Sequence, residues 1–295
     1  MSHTRLYAMT FWMRGGYRTF FDQMGPVVRQ QQIIELCGTV TSWGRGDDEK
    51  RLCKNHLAQS ITHHMARPAL TNDAAGQNNC TIISLGCNGQ WNFERLAFKH
   101  TPCAIHTFDC TGSWSVPLPL RSRVAIHRRC IGTPSLVARR PGTFTDYPGL
   151  LRLAGRQVPV FMKIDIEGMP PRSSTHALVS FPVFISCHFL LAGFEYNLMS
   201  EILRSAQDLG AELPGQLGIE LHKGLKAAYF KSKSPTDAEF SMLMLEFRRH
   251  YELVERRENG RSGKAVEILL VKKQTVRGGM TQNVNSGESQ HVRGW

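Results

Sequence analysis

The chain alternates short apolar runs with amphipathic stretches. Seven runs read as strands: 81–85 (TIISL), 104–108 (AIHTF), 123–127 (RVAIH), 160–166 (VFMKIDI), 217–221 (LGIEL), 250–254 (HYELV) and 266–271 (VEILLV). Helical periodicity appears between them. Segment 27–37 (VVRQQQIIELC) reads as a helix, and 197–209 places Leu198, Ile202, Leu203, Ala206 and Leu209 on one face. Segment 236–249 opens on Thr236-Asp237-Ala238-Glu239, a capping-box pattern, and continues with Phe240, Leu243 and Phe247 on one stripe. Strands alternating with helices predict an α/β fold with a mostly parallel sheet covered on both faces. Asn259-Gly260 and Ser262-Gly263 between the last two runs predict a C-terminal antiparallel hairpin.

The same pattern divides the chain. Residues 79–273 form the expected domain, 1–78 a polar and partly helical extension, and 274–295 a disordered tail. Composition adds limits. Of 295 residues, 41% are hydrophobic and 20% charged, which suits a globular chain with one sizeable core. The net charge of +12 comes from short groups such as Arg128/Arg129 and Arg139/Arg140. No nucleic-acid-binding motif accompanies them, so nucleic acid is not the expected partner. Eight cysteines lack any CxxC pair, which argues against structural zinc. The chain is long for a disulfide framework; Cys37 and Cys53 are the pair that would form in a secreted protein. No transmembrane segment is expected, because no apolar run is long enough to span a bilayer.

The candidate chemistry lies at the ends of the predicted strands. After 81–85 comes Gly86-Cys87-Asn88-Gly89, small residues that let the backbone turn sharply and approach a ligand. The helix that follows would direct its first amides toward an anion. Asp109 lies 20 residues past Gly89, the spacing at which Rossmann-like sites place the acid that binds a ribose diol. Ile131 and Gly132 follow the third strand and suit an adenine face. The fourth strand ends in Lys163-Ile164-Asp165-Ile166-Glu167, with the charged residues on one face. Buried carboxylates at a strand end need a ligand, a cation or donors. The fifth strand ends with Glu220 and His222 on one face, and His222 is the candidate general base.

Segments 84–94 (SLGCNGQWNFE), 101–112 (TPCAIHTFDCTG), 123–132 (RVAIHRRCIG), 162–168 (MKIDIEG) and 217–222 (LGIELH) resemble the methyltransferase-like-24 group. That group is similar to FkbM-type methyltransferases. The resemblance implies a Rossmann-like class I fold that uses S-adenosylmethionine, with a mostly parallel seven-stranded sheet. By position, Gly86, Asn88 and Gly89 would line its methionine end, Asp109 its ribose and Ile131 its adenine. Asp165 would face the reaction centre, and His222 or Asp165 would take the proton of an unknown hydroxyl acceptor. Glu167 beside Asp165 leaves room for a divalent cation in this reading. A catalytically inactive Rossmann-like binding module and a nucleic-acid methyltransferase are the competing functions.

One segment breaks the pattern. Between Gly168 and Phe194 lie 25 residues with two prolines at their start and Pro182 and His188 further on, unsuited to helix or strand. Without them, Asp165 and Glu220 have an ordinary strand-helix-strand spacing. Segment 169–193 reads as a translated intron, with a lid loop as the rival reading.

Overall fold

The computed structural model describes residues 26–66, 80–166, 194–209, 213–222, 237–258 and 265–273. Glu167, segment 169–193, the glycine pairs near 260 and the tail lie outside the described residues. The elements run α1 (Gln30–Cys37), β1 (Val40–Trp43), β2 (Lys50–Cys53), α2 (Lys54–Met65), β3 (Thr81–Leu85), α3 (Asn92–His100), β4 (Ala104–Phe108) and β5 (Val124–His127). They continue with β6 (Cys130–Ile131), α4 (Pro134–Arg139), β7 (Phe144–Thr145), α5 (Tyr147–Leu153), β8 (Pro159–Ile164) and α6 (Phe194–Leu209). Last come β9 (Gln216–His222), α7 (Asp237–His250), β10 (Tyr251–Glu258) and β11 (Ala265–Lys272).

The main sheet has seven strands in the order β10-β11-β9-β8-β3-β4-β5. Only β11 runs against its neighbours. The direction of winding changes between β3 and β8, which opens a crevice at their carboxyl ends. This is the Rossmann-like arrangement of the class I methyltransferase fold, with the expected C-terminal antiparallel pair.

Alternation divides the sheet's side chains between two cores. Ile83, Leu85, Met162, Ile164, Leu217, Ile219 and Leu270 face α5, α6 and α7, where Leu198, Ile202, Phe240 and Phe247 are buried. Ile82, Phe161, Leu269 and Val271 face the other way, against Trp43, Leu52, Leu57 and Phe93. Residues 26–66 supply much of this second layer. Gln216 fixes the layer to β9 like a strand partner: its side chain accepts from the Cys53 amide at 2.8 Å and donates to the Cys53 carbonyl at 2.9 Å.

The cysteines depart from expectation in part: Cys37–Cys53 is the pair the sequence offered, and two more are added. Three disulfides are present: Cys37–Cys53, Cys80–Cys103 and Cys110–Cys130. For Cys80–Cys103 the cause is strand register. Thr81 pairs with Ala104, so the residues just before them, Cys80 and Cys103, come side by side despite a separation of 23 residues. Among the described residues no helix is long and apolar enough to cross a membrane.

Candidate active site at the carboxyl ends of the strands

Gly86 turns the chain out of β3 with φ +79°, and a Cβ there would stand 1.9 Å from the Asp165 carbonyl oxygen. The close approach that demands glycine is therefore to β8's end. At Gly89, φ +71°, a Cβ would meet the Trp114 indole at 2.8 Å. Asn88 also takes a positive φ, +46°. Asp109 holds this turn. One carboxylate oxygen accepts from the amides of Cys87 (2.9 Å) and Asn88 (2.7 Å), and the other from the Thr111 amide (2.8 Å) and hydroxyl (2.6 Å). Four donors match the four lone-pair positions of a carboxylate. Ile131 is buried, and Cys130 ties its strand to Cys110, the residue after Asp109.

On the second-core face, a line of buried charge crosses the sheet. Register places Lys163 opposite Gly218, and Glu220 opposite Glu267. Asp165 follows Lys163 on the same face. Lys50, delivered by β2, lies across this row: its ammonium is 2.9 Å from Asp165, 2.8 Å from Glu267 and 3.8 Å from Glu220. Gly218 makes the space, since a Cβ there would touch the Lys50 Cβ at 3.4 Å and the Phe161 ring at 2.9 Å. Lys163 donates to the Gly86 carbonyl at 2.8 Å, pairs closely with Asp48 and lies 3.7 Å from Asp165. Asp48 also accepts the Phe93 amide at 2.9 Å, so a protein carboxylate serves the first turn of α3 where the sequence suggested a ligand anion. His222 meets Glu195 at 2.6 Å through Nδ1, and its Nε2 is 3.8 Å from Glu220.

These neighbours set the protonation states. Burial would discharge Lys50, but Asp165, Glu267 and Glu220 outweigh it and hold the ammonium charged. Burial would raise Asp165, but Lys50 and Lys163 hold its carboxyl below the usual range. Burial, with the charges of Asp165 and Glu267, pushes Glu220 up to about 8. Burial likewise carries Glu267 to about 7 against the pull of Lys50, and Glu94 to about 7 against that of Lys163. For His222, burial lowers basicity, yet the hydrogen bond and charge of Glu195 raise it to about 9. At neutral pH, His222 is therefore an imidazolium, a proton donor before it is a base.

A stability trend follows. Unfolded glutamate titrates near about 4.3 and histidine near about 6.5. In the native protein Glu220, Glu267, Glu94 and His222 all hold protons to higher pH. Burial lowers the basicity of His56, His106 and His127, which offsets this below about pH 6.5. Above it, up to about 9, the native state binds more protons than the unfolded chain, so stability falls as pH rises through that window. Thermal midpoints measured at constant ionic strength are expected to decline from about pH 6.5 to pH 9, and less steeply in Glu220→Gln. A midpoint that stays level or climbs contradicts these assignments.

The structure brings Gly86, Asn88, Gly89, Asp109 and Asp165 around one bend, with Glu220 and His222 on the next strand out. Lys50, Asp48, Glu195 and Glu267 were not singled out from the sequence. The run Gly46-Asp47-Asp48-Glu49-Lys50-Arg51 resembles a solvated loop; its one signal is the alternation that buries Lys50 and Leu52 and leaves Arg51 partly open. A divalent cation does not fit at Asp165, where two ammonium groups already supply positive charge. Among the described residues no cluster of three potential ligands is suited to a metal.

No protein-family model matches the chain, and no curated protein is similar to it. Solved structures with a similar fold include a human methyltransferase 10 domain containing protein, 10% identical over 74% of this chain and 80% of that chain, with a TM-score of 0.35. Another is the N-terminal domain of EvdMO1, solved in the presence of SAH and D-fucose: 10% identity, 83% and 94% coverage, TM-score 0.30. A third is the antibiotic-resistance methyltransferase Kmr: 14% identity, 79% and 100% coverage, TM-score 0.28. These are similarities of fold; the strand order described above is read from this chain itself.

Proposed function

We propose that this chain is an S-adenosylmethionine-dependent methyltransferase that acts on a hydroxyl group of a small molecule, glycan or lipid. One observation carries the reading: Asp109 and Asp165, from strands on either side of β3, flank the same glycine bend at the point where the sheet's winding reverses. The resemblance to the methyltransferase-like-24 and FkbM-type groups points the same way.

The cofactor would supply an electrophilic methyl group on a sulfonium sulfur. In this proposal the bend at 86–89 and Ile131 hold its two ends, and Asp109 acts chiefly by fixing the bend, because its lone pairs already have donors. Asp165, kept ionised by Lys50 and Lys163, accepts a hydrogen bond from the acceptor hydroxyl and aligns it. Alignment and exclusion of water are the main contributions of such a site. The His222–Glu195 pair and Glu220 manage the proton. If His222 is the base, turnover should rise with pH toward about 9, where it loses its proton. If Asp165 is the base, the profile is flat across that range.

Titration calorimetry with S-adenosylhomocysteine tests the cofactor assignment. The folded chain should bind it, and Asp109→Ala should weaken binding by about tenfold or more, on the order of 1.4 kcal/mol, without unfolding the protein. Undiminished affinity in Asp109→Ala removes the site assignment, and no binding by the wild type removes the methyltransferase reading. Binding without methyl release on any hydroxyl acceptor would favour the inactive module.

A further inference from the structure

The lobe built on β6 and β7 carries a concentration of positive charge that the methyl-transfer chemistry does not use. β6 and β7 run parallel, with Cys130 beside Phe144 and Ile131 beside Thr145. This pairing brings the segment before β6 against the segment after α4. Arg129 donates to the Pro141 carbonyl at 2.6 Å, and the Cys130 amide to the Thr143 carbonyl at 2.8 Å. Arg128, Arg129, Arg139 and Arg140 therefore project from one small lobe. Three of them are exposed and Arg129 is partly so. Among the described residues none of the four is ion-paired. Asp146, the carboxylate nearest in sequence, is engaged at the start of α5, where it accepts the Gly149 amide at 2.9 Å.

Two further observations narrow the partner. The Cys110–Cys130 disulfide anchors the lobe directly beneath Arg128 and Arg129, so the four charges are presented on a fixed backbone, which lowers the ordering cost of binding. With Cys37–Cys53 and Cys80–Cys103 it also marks a chain that matures in an oxidising compartment. The abundant polyanions of such compartments are sulfated glycans, not nucleic acids. Guanidinium groups pair with tetrahedral oxyanions through two parallel N–H donors, a match that ammonium groups lack.

We propose that the arginine lobe around 128–140 is a docking site for a sulfated glycan chain. It stands independently of the methyl-transfer reading. Binding is electrostatic in this proposal, so each sulfate contact contributes roughly 0.7–0.9 to the slope of log affinity against log salt, as for nucleic-acid phosphates.

The test uses the full chain and a heparin dodecasaccharide at an ionic strength of about 0.15 M. The variant R128Q/R129Q/R139Q/R140Q should bind at least about tenfold more weakly, with a shallower salt slope. R128Q/R140Q leaves the Arg129 and Arg139 hydrogen bonds in place, guards against misfolding and should show an intermediate loss. K54Q/R95Q/R152Q/R204Q removes four exposed charges from other elements and should change affinity by less than about threefold, since long-range charge is screened. Equal losses in the clustered and scattered variants overturn the proposal, as does a wild type that does not bind. Tighter binding of a single-stranded RNA of equal charge assigns the lobe to nucleic acid instead.

Discussion

Lys50→Met is expected to cost about 3–5 kcal/mol of folding stability, because it leaves the carboxyl groups of three strands buried around a missing cation. Methionine is unbranched and close to lysine in length, so the loss reads mainly charge and not packing. The ammonium now lies within 3 Å of both Asp165 and Glu267, in a site closed to solvent. Thermal denaturation should register a midpoint lowered by roughly 10 °C. Combining it with Glu267→Gln should be less damaging than the two single losses added together, with a coupling of about 1–3 kcal/mol. Additive losses would mean that Lys50 and Glu267 do not depend on each other.

The second large effect is expected at Gly86. Gly86→Ala places a methyl group 1.9 Å from the Asp165 carbonyl oxygen at a φ of +79°. β3 and β8 must then separate at the winding reversal, at a cost of roughly 2–4 kcal/mol from strain and overpacking combined. Gly155 provides the control. It has the same φ, +79°, but nothing lies within 4 Å of the place its methyl group would take, so Gly155→Ala isolates the backbone preference, about 1 kcal/mol. Chemical denaturation of both variants gives the steric part by difference. Equal destabilisation of the two would show that the Gly86 contact is unimportant. Binding of S-adenosylhomocysteine should fall at least about tenfold in Gly86→Ala, or 1.4 kcal/mol, and hold in Gly155→Ala.

The sheet was legible because its signals are local. Runs such as Thr81–Leu85 and Ala104–Phe108 are short and apolar, and the strands occupy those positions. Leu198, Ile202 and Leu203 fall on the buried side of α6 as their spacing requires. The layer formed by residues 26–66 was less legible: β1 and β2 have only four residues each, and their charged sequence resembles a loop. Its meaning depends on Glu267 and Glu220, more than a hundred residues away, and no local pattern reports such a contact. Asp109 is an intermediate case. Its position follows from spacing, but its partners are main-chain amides, which have no sequence signature. Of the disulfides, Cys37–Cys53 was legible as a candidate pair, while Cys80–Cys103 was hidden because strand register and not cysteine spacing pairs it.

The bond from Lys50 to Glu267 spans 217 residues. Ribosomes release chains from the amino end, so this hairpin emerges long before the last strand that neutralises it. Until β11 is made and inserted between β9 and β10, the lysine has no complete set of counter-charges. Consolidation of that end must therefore come after translation is nearly finished, and closing so long a loop makes it slow. Newly made chains would pass through a stage in which the carboxyl end of the sheet is unfinished, when help from chaperones matters most.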